Sequence, residues 1–236
     1  MKKIKIFVSN SMLSSFDQMV ESLKDKKDDL YSSNIIIIPD KFSLNAERRV
    51  FDVLNLESTF NIDGMSFSET ACYFKETFKL EESIEEIKDI WNHMAMDKYR
   101  YEVTLKNGVK EFLGSLKAKG YKMGIATSNS RELAMCCLEA LGIDGYFDSI
   151  VTACDVGAGK PAPDIYLKCA ELCNVLPENC MVFEDIIQGI EAGHNAGMKV
   201  CAVYDEYSKD DDGRKQSMAD YYINDYDEIV RKVTDV

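Results

Sequence analysis

The sequence predicts an α/β fold: a three-layer core built on a parallel sheet, carrying a partial helical cap. Two observations carry this expectation. From Tyr121 to Val203, short apolar runs alternate with stretches of helical periodicity, the pattern of successive βαβ units. Three of these runs are each followed by a polar group. Thr127-Ser128-Asn129 follows Met123-Gly124-Ile125-Ala126, Gly159-Lys160-Pro161-Ala162-Pro163-Asp164 comes soon after Ile150-Val151, and Glu184-Asp185 follows Met181-Val182-Phe183. Ligands in such sheets bind outside the carboxyl ends of the strands, so polar groups at these ends are expected to converge on one site.

Taken in order, the elements justify that frame. Residues 1–63 contain neither glycine nor cysteine. Within them, Ile4, Ile6 and Val8 alternate as in a strand, a helical pattern covers 14–30, and Ile35-Ile36-Ile37-Ile38 forms a buried parallel-type strand closed by Pro39-Asp40. Ser43 caps a further helix to about residue 54. The segment reads as a βαβα unit, and without a glycine before Gly64 it holds no phosphate loop.

From Gly64 the pattern turns helical, with helices over 68–78 and 82–101. Trp91, Met94 and Met96 lie on the second, as pocket lining or, more often for such a stripe, core. A helix over 109–119 stops at Gly120. A strand over 121–127 leads to a helix capped by Ser130 and stopped by Gly142. Then come a strand over 149–153, a helix from Asp164 to Cys173, a strand over 180–183, a helix over 189–196 stopped by Gly197, and a strand over 198–203. A short strand over 219–223 and a helix over 226–233 close the chain. Asp210-Asp211-Asp212 reads as a solvated loop tip. The expected partition is 1–63 as an atypical N-terminal segment, 64–104 as a helical cap remnant and 105–236 as the core.

Composition narrows the function classes. The 236 residues carry a formal net charge of −13. That balance argues against a general nucleic-acid binder, which needs a basic face to displace phosphate counterions, and disfavours an anionic membrane surface. No run is long enough to span a bilayer and no signal-peptide core is present. Eight cysteines occur without a CxxC pair, read as free thiols in a reducing compartment. A zinc site is not expected, since neither His93 nor His194 stands at ligand spacing from cysteines. A cytoplasmic monomer is the expectation.

The strand-end groups bring together a hydroxyl, an ammonium and a carboxylate pair. That set suits a phosphoryl group and Mg²⁺, which takes carboxylate and phosphate oxygens and keeps several waters. Lysine supplies a point charge for developing negative charge, and the hydroxyl a hydrogen bond. Singly, each has a plainer reading: a strand-end cap at Thr127, a turn residue at Asn129, a surface lysine at Lys160, a helix N-terminal acid pair at Glu184-Asp185. Their joint occurrence at successive strand ends favours a site.

At these residues the chain resembles the haloacid dehalogenase-like hydrolases, in the cap-bearing branch that contains phosphoglycolate phosphatases and β-phosphoglucomutases. The resemblance runs from about Gly64 to the C-terminus. It rests on Gly124–Asn129, Gly159–Tyr166, Phe183-Glu184-Asp185, Gly189-Ile190-Glu191-Ala192 and Ala196-Gly197-Met198, in the family's order and spacing. It implies a Rossmann-like core and a Mg²⁺-dependent phosphatase or phosphomutase acting on a small phosphorylated metabolite. It also implies that Thr127 hydrogen-bonds the transferring phosphoryl group, that Ser128 and Asn129 support substrate or phosphate binding, that Lys160 neutralises the charge of nucleophile and phosphoryl group, and that Glu184 and Asp185 hold the metal.

The family's first motif is two aspartates spaced i and i+2 on the N-terminal strand. The corresponding segment here reads Ile6-Phe7-Val8-Ser9-Asn10, so Val8 and Asn10 stand at the aspartate positions. Neither supplies a nucleophile or a base, and impaired catalysis is expected. Asp40 follows the apolar run Ile35–Ile38 but has Phe42, not a second carboxylate, at i+2. The stretch from Ile35 to Arg48 is itself similar to the N-terminal part of the B-type subunit of the bacterial ATP-dependent helicase/nuclease, which implies a replaced first strand and no nuclease or helicase site.

Overall fold

The structure of the chain, a computed structural model, describes residues 64–234. The strands expected over 3–8 and 35–38 and the helices over 14–30 and 43–54 lie outside the described residues, as do Val8, Asn10 and Asp40.

Helices α1 (Phe67–Phe78) and α2 (Ile84–Tyr101) form an antiparallel hairpin, and each begins in the same way. The Ser66 hydroxyl accepts from the Glu69 amide while the Glu69 carboxylate accepts from the Ser66 amide, and Ser83 and Glu86 repeat this reciprocal box. Between the helices lies an aromatic core of Phe67, Phe74, Phe78 and Trp91 with Ala71 and Ile87. Trp91 meets Phe67 and Phe74 edge-on, with ring centroids 5.7 and 5.4 Å apart. Trp91 is therefore core. Helix α2 then lies along α4 (Arg131–Leu141), which joins the hairpin to the rest of the molecule.

The strands are β1 (Gly124–Thr127), β2 (Ser149–Thr152), β3 (Met181–Glu184), β4 (Lys199–Val203) and β5 (Tyr221–Ile223). Every pairing is parallel: β1 with β2 from Gly124 opposite Ser149, β3 with β4 from Met181 opposite Lys199, and β4 with β5 from Cys201 opposite Tyr221. The helices between them are α3 (Val109–Ala118, before β1), α4, α5 (Ala153–Val156), α6 (Asp164–Cys173), α7 (Ile187–Asn195), α8 (Asp212–Met218) and, last, α9 (Asp227–Thr234).

Alternation along the strands produces the three layers. Ala126, Val151, Val182, Val200 and Ala202 face one side and pack with Ile165, Tyr166 and Ala170 of α6 and Ile190 of α7. Ile125 and Ile150 face the other side, with Leu113 of α3 and Leu138 of α4. On that same side Phe183, Cys201 and Val203 pack with Ile229 of α9. The cluster under α6 and α7 takes side chains from both strand groups, so one core spans them.

The expected core elements are present with shifted bounds, among them the following. Strand β1 starts at Gly124 rather than Tyr121, whose side chain is exposed. Strand β2 ends at Thr152, whose hydroxyl caps the extra short helix α5. Strand β3 runs one residue further and includes Glu184. The supposed loop tip at 210–212 is the end of a 3-10 helix (Glu206–Asp211) and the first residue of α8: Asp212 accepts from Tyr222 Oη at 2.7 Å and pairs with the fully buried Lys215 at 3.2 Å.

Candidate active site

Glu184 is the last residue of β3, at the carboxyl edge of the sheet. Its carboxylate is 8% exposed and accepts from the Lys160 ammonium and from the Tyr166 hydroxyl at the same oxygen. A buried charge of this kind persists only when paired and hydrogen-bonded, and these two donors meet that need. Space for it comes from α7. A Cβ built on Gly189 would stand 2.2 Å from the Glu184 carboxyl carbon, so only glycine lets the helix approach.

Lys160 comes from the loop between α5 and α6. Its backbone N–H donates to the Gly64 carbonyl at 2.7 Å, and its Nζ lies 5.4 Å from the centroid of the Tyr166 ring. Tyr166 stands in the first turn of α6, where burial, and next the Glu184 carboxylate, push its hydroxyl far above the usual phenol range. It remains a neutral donor.

Asp185 follows immediately. Burial pushes its carboxyl up to about 6, and Glu184 and Asp205 add to the rise, while Lys106 and Lys160 oppose it. Asp205 pairs with Lys106. Three carboxylates thus face two ammonium groups, which leaves one negative charge in surplus. The Asp185 carbonyl accepts from Ser208 Oγ at 2.6 Å, and Lys215 Nζ donates to that hydroxyl at 3.0 Å. Among the described residues, no group of three or more His, Cys, Asp or Glu side chains gathers as a metal site. The donor set at Glu184 and Asp185 is oxygen with surplus negative charge, which fits a hard divalent cation that keeps most of its waters.

Thr127 ends β1, and its Oγ1 accepts from the Asn129 amide at 3.1 Å. Ser128 Oγ donates to the Gly64 carbonyl at 3.4 Å, the same oxygen that Lys160 N–H uses. The first and second predicted groups are therefore joined through Gly64, and the second and third through the Lys160–Glu184 pair. Asn129 is placed differently. Its side chain is 7% exposed, donates to Tyr99 Oη of α2 at 2.6 Å and accepts from the Ser130 amide at 2.9 Å. It ties the strand-end loop to the helical hairpin.

Sequence reasoning assigns no role to Tyr166, Lys106, Asp205, Ser208 or Lys215. Tyr166 stands inside the motif quoted for Lys160. Asp205 stands just beyond the end of β4 and falls under the same strand-end rule that locates the others. Ser208 and Lys215 leave no sequence signal, because the run around them reads as solvated.

A family model described as haloacid dehalogenase-like hydrolase matches residues 37–203. The chain is 37% identical over 125 residues to the phosphorylated carbohydrates phosphatase of Thermotoga maritima, a match covering 52% of this chain and 57% of that protein. It is 30% identical over 146 residues to the chloroplastic 5-amino-6-(5-phospho-D-ribitylamino)uracil phosphatase of Arabidopsis thaliana, covering 60% of this chain and 38% of that one. The chain thus spans less than two thirds of either relative's length. Among solved structures, CbbY from Rhodobacter sphaeroides in complex with xylulose-(1,5)bisphosphate aligns with a TM-score of 0.65 over 96% of this chain and 95% of that one. At 18% identity this likeness shows the fold.

Proposed function

The chain belongs to the haloacid dehalogenase-like hydrolases, and from that premise we propose that it is a Mg²⁺-dependent phosphatase or phosphomutase-like hydrolase of a small phosphorylated metabolite, with impaired catalysis. The observation that carries the reading is the buried Lys160–Glu184 pair beside Asp185 at the strand ends. The phosphatase names of its curated relatives support the reaction class.

In this reading Glu184 and Asp185 hold Mg²⁺, which when bound supplies positive charge to the phosphate oxygens. Lys160 places its ammonium against the charge that spreads over the phosphoryl group in transfer. The Thr127 hydroxyl, an acceptor for the Asn129 amide, donates its own proton to a phosphate oxygen, while Ser128, through its bond to the Gly64 carbonyl, and Asn129 hold the loop that carries it. The neutral Tyr166 hydroxyl holds Glu184 in one rotamer. The negative charge and the oxygen-rich site favour a small phosphorylated partner in the presence of the cation, acted on by a monomer in the cytoplasm, with neither nucleic acid nor membrane as partner.

The segment that would have to supply a nucleophile lies outside the described residues. The family match begins at Ile37, which places Asp40 inside it and Val8 and Asn10 outside. In this reading Asp40 is the carboxylate that would attack phosphorus, the P–O bond to the leaving group breaking and the leaving oxygen taking its proton from solvent water, since Phe42 offers none; water would then attack the aspartyl phosphate, releasing inorganic phosphate and restoring the carboxylate. A second reading, a non-catalytic member that still binds metal or phosphate, is favoured by Val8 and Asn10 at the positions aligned with the two aspartates.

Hydrolysis of p-nitrophenyl phosphate, with and without Mg²⁺, beside Asp185→Asn and Asp40→Asn, tests both. Mg²⁺-dependent turnover abolished in both variants supports the first reading. Mg²⁺ binding by calorimetry without turnover supports the second. Absence of both overturns the site.

A further inference from the structure

At the opposite edge of the sheet from Glu184, two thiols converge on one hydroxyl. Cys169 and Cys173 stand one turn apart on α6, and their Sγ atoms lie 3.3 and 3.2 Å from Ser149 Oγ, at the start of β2. Gly124, the first residue of β1, leaves them room: a Cβ there would stand 2.2 Å from Cys169 Sγ and 2.7 Å from Ser149 Oγ. Both cysteines are half-buried and Gly124 is exposed, so the pair opens to solvent.

We propose that Cys169 and Cys173 form a bidentate thiol site for a soft, thiophilic centre of the trivalent-arsenic class. Soft thiolates select soft centres, and two on one helical turn meet a single atom between them. A disulfide fits less well. Residues at i and i+4 hold their Cβ atoms about 5–6 Å apart, whereas a disulfide needs roughly 3.5–4.5 Å, so oxidation would have to unwind the last turn of α6. A bridging atom lengthens the span and leaves the helix intact. Cys180 lies nearby, but the described residues bring no third ligand to the pair. Burial raises the Cys169 thiol above its ordinary value, which slows one-site alkylation and favours a reagent that makes two bonds. With a phenylarsenoxide the balance is complete: two S–H bonds break, two S–As bonds form, and the arsenoxide oxygen leaves as water with both protons.

All eight cysteines lie among the described residues, so every thiol can be accounted for. Native protein is treated with one equivalent of phenylarsine oxide, and adduct mass and free thiols are measured. The expected result is a single adduct with two thiols lost, reversed by 2,3-dimercaptopropanol but not by 2-mercaptoethanol. Cys169→Ser and Cys173→Ser should each weaken capture by roughly 10²-fold, the advantage of an intramolecular second bond, while Cys136→Ser leaves it unchanged. Without any variant, preloaded protein should show both cysteines protected from N-ethylmaleimide in peptide maps. Protection of a different pair, or capture unchanged in both serine variants, would overturn the proposal.

Discussion

Asp185 carries the largest electrostatic liability of the site. Its carboxyl is raised to about 6 in the folded chain against an ordinary value of 3.8. The folded state therefore binds more protons than the unfolded state across that window, and stability falls as pH rises through it. At about 1.4 kcal/mol per pKa unit, the metal-free protein loses up to about 3 kcal/mol between pH 4 and pH 7. Urea denaturation of Asp185→Asn should show that loss largely removed, with the variant the more stable at pH 7 and little different at pH 4. Mg²⁺ should narrow the gap at pH 7 by stabilising only the wild type. Tyr166→Phe leaves the buried Glu184 without one of its two strong donors. A loss of about 1–3 kcal/mol is expected in the same assay, with weaker Mg²⁺ binding by calorimetry. The meeting of Lys160 with Glu184 and Asp185 is legible in the sequence because each lies at or soon after the end of an apolar run that reads as a strand. The Tyr166 bond to Glu184 is not, because it joins a helix to a strand 18 positions away, and no local pattern encodes that distance.

Elements written by local chemistry can be read from the chain alone. Ser130 and Gly142 bound α4 as expected, the one accepting from the Leu133 amide and the other in the left-handed region at φ 64°. Elements decided by tertiary contacts escape such a reading. Helix α8 hides inside a charged run because its one buried side chain, Lys215, is a lysine whose partners are Ser208 and Asp212. The α1–α2 hairpin depends on Trp91 more than on its two capping boxes. Trp91→Ala should cost about 3–5 kcal/mol, and hydrogen exchange should show α1 and α2 opening while β3 and β4 stay protected. Ser66→Ala, by comparison, should cost about 1 kcal/mol.

For the molecule as a whole, the three-layer α/β fold follows from alternation alone, since Val182 and Phe183, or Val200 and Cys201, must face opposite ways. The net charge of −13 predicts no measurable retention of duplex DNA in a low-salt shift assay. How the hairpin meets the core is not written in any local pattern. The carbonyl of Gly64 accepts from both Ser128 and Lys160, and α1 begins three residues later. The peptide that leads into the hairpin is thus the same one that joins the Ser128 and Lys160 loops. On the proposal that the hairpin caps a phosphate site, displacing the cap would strain the bonds that hold these loops together, so that admission of a ligand and assembly of the site would be one movement.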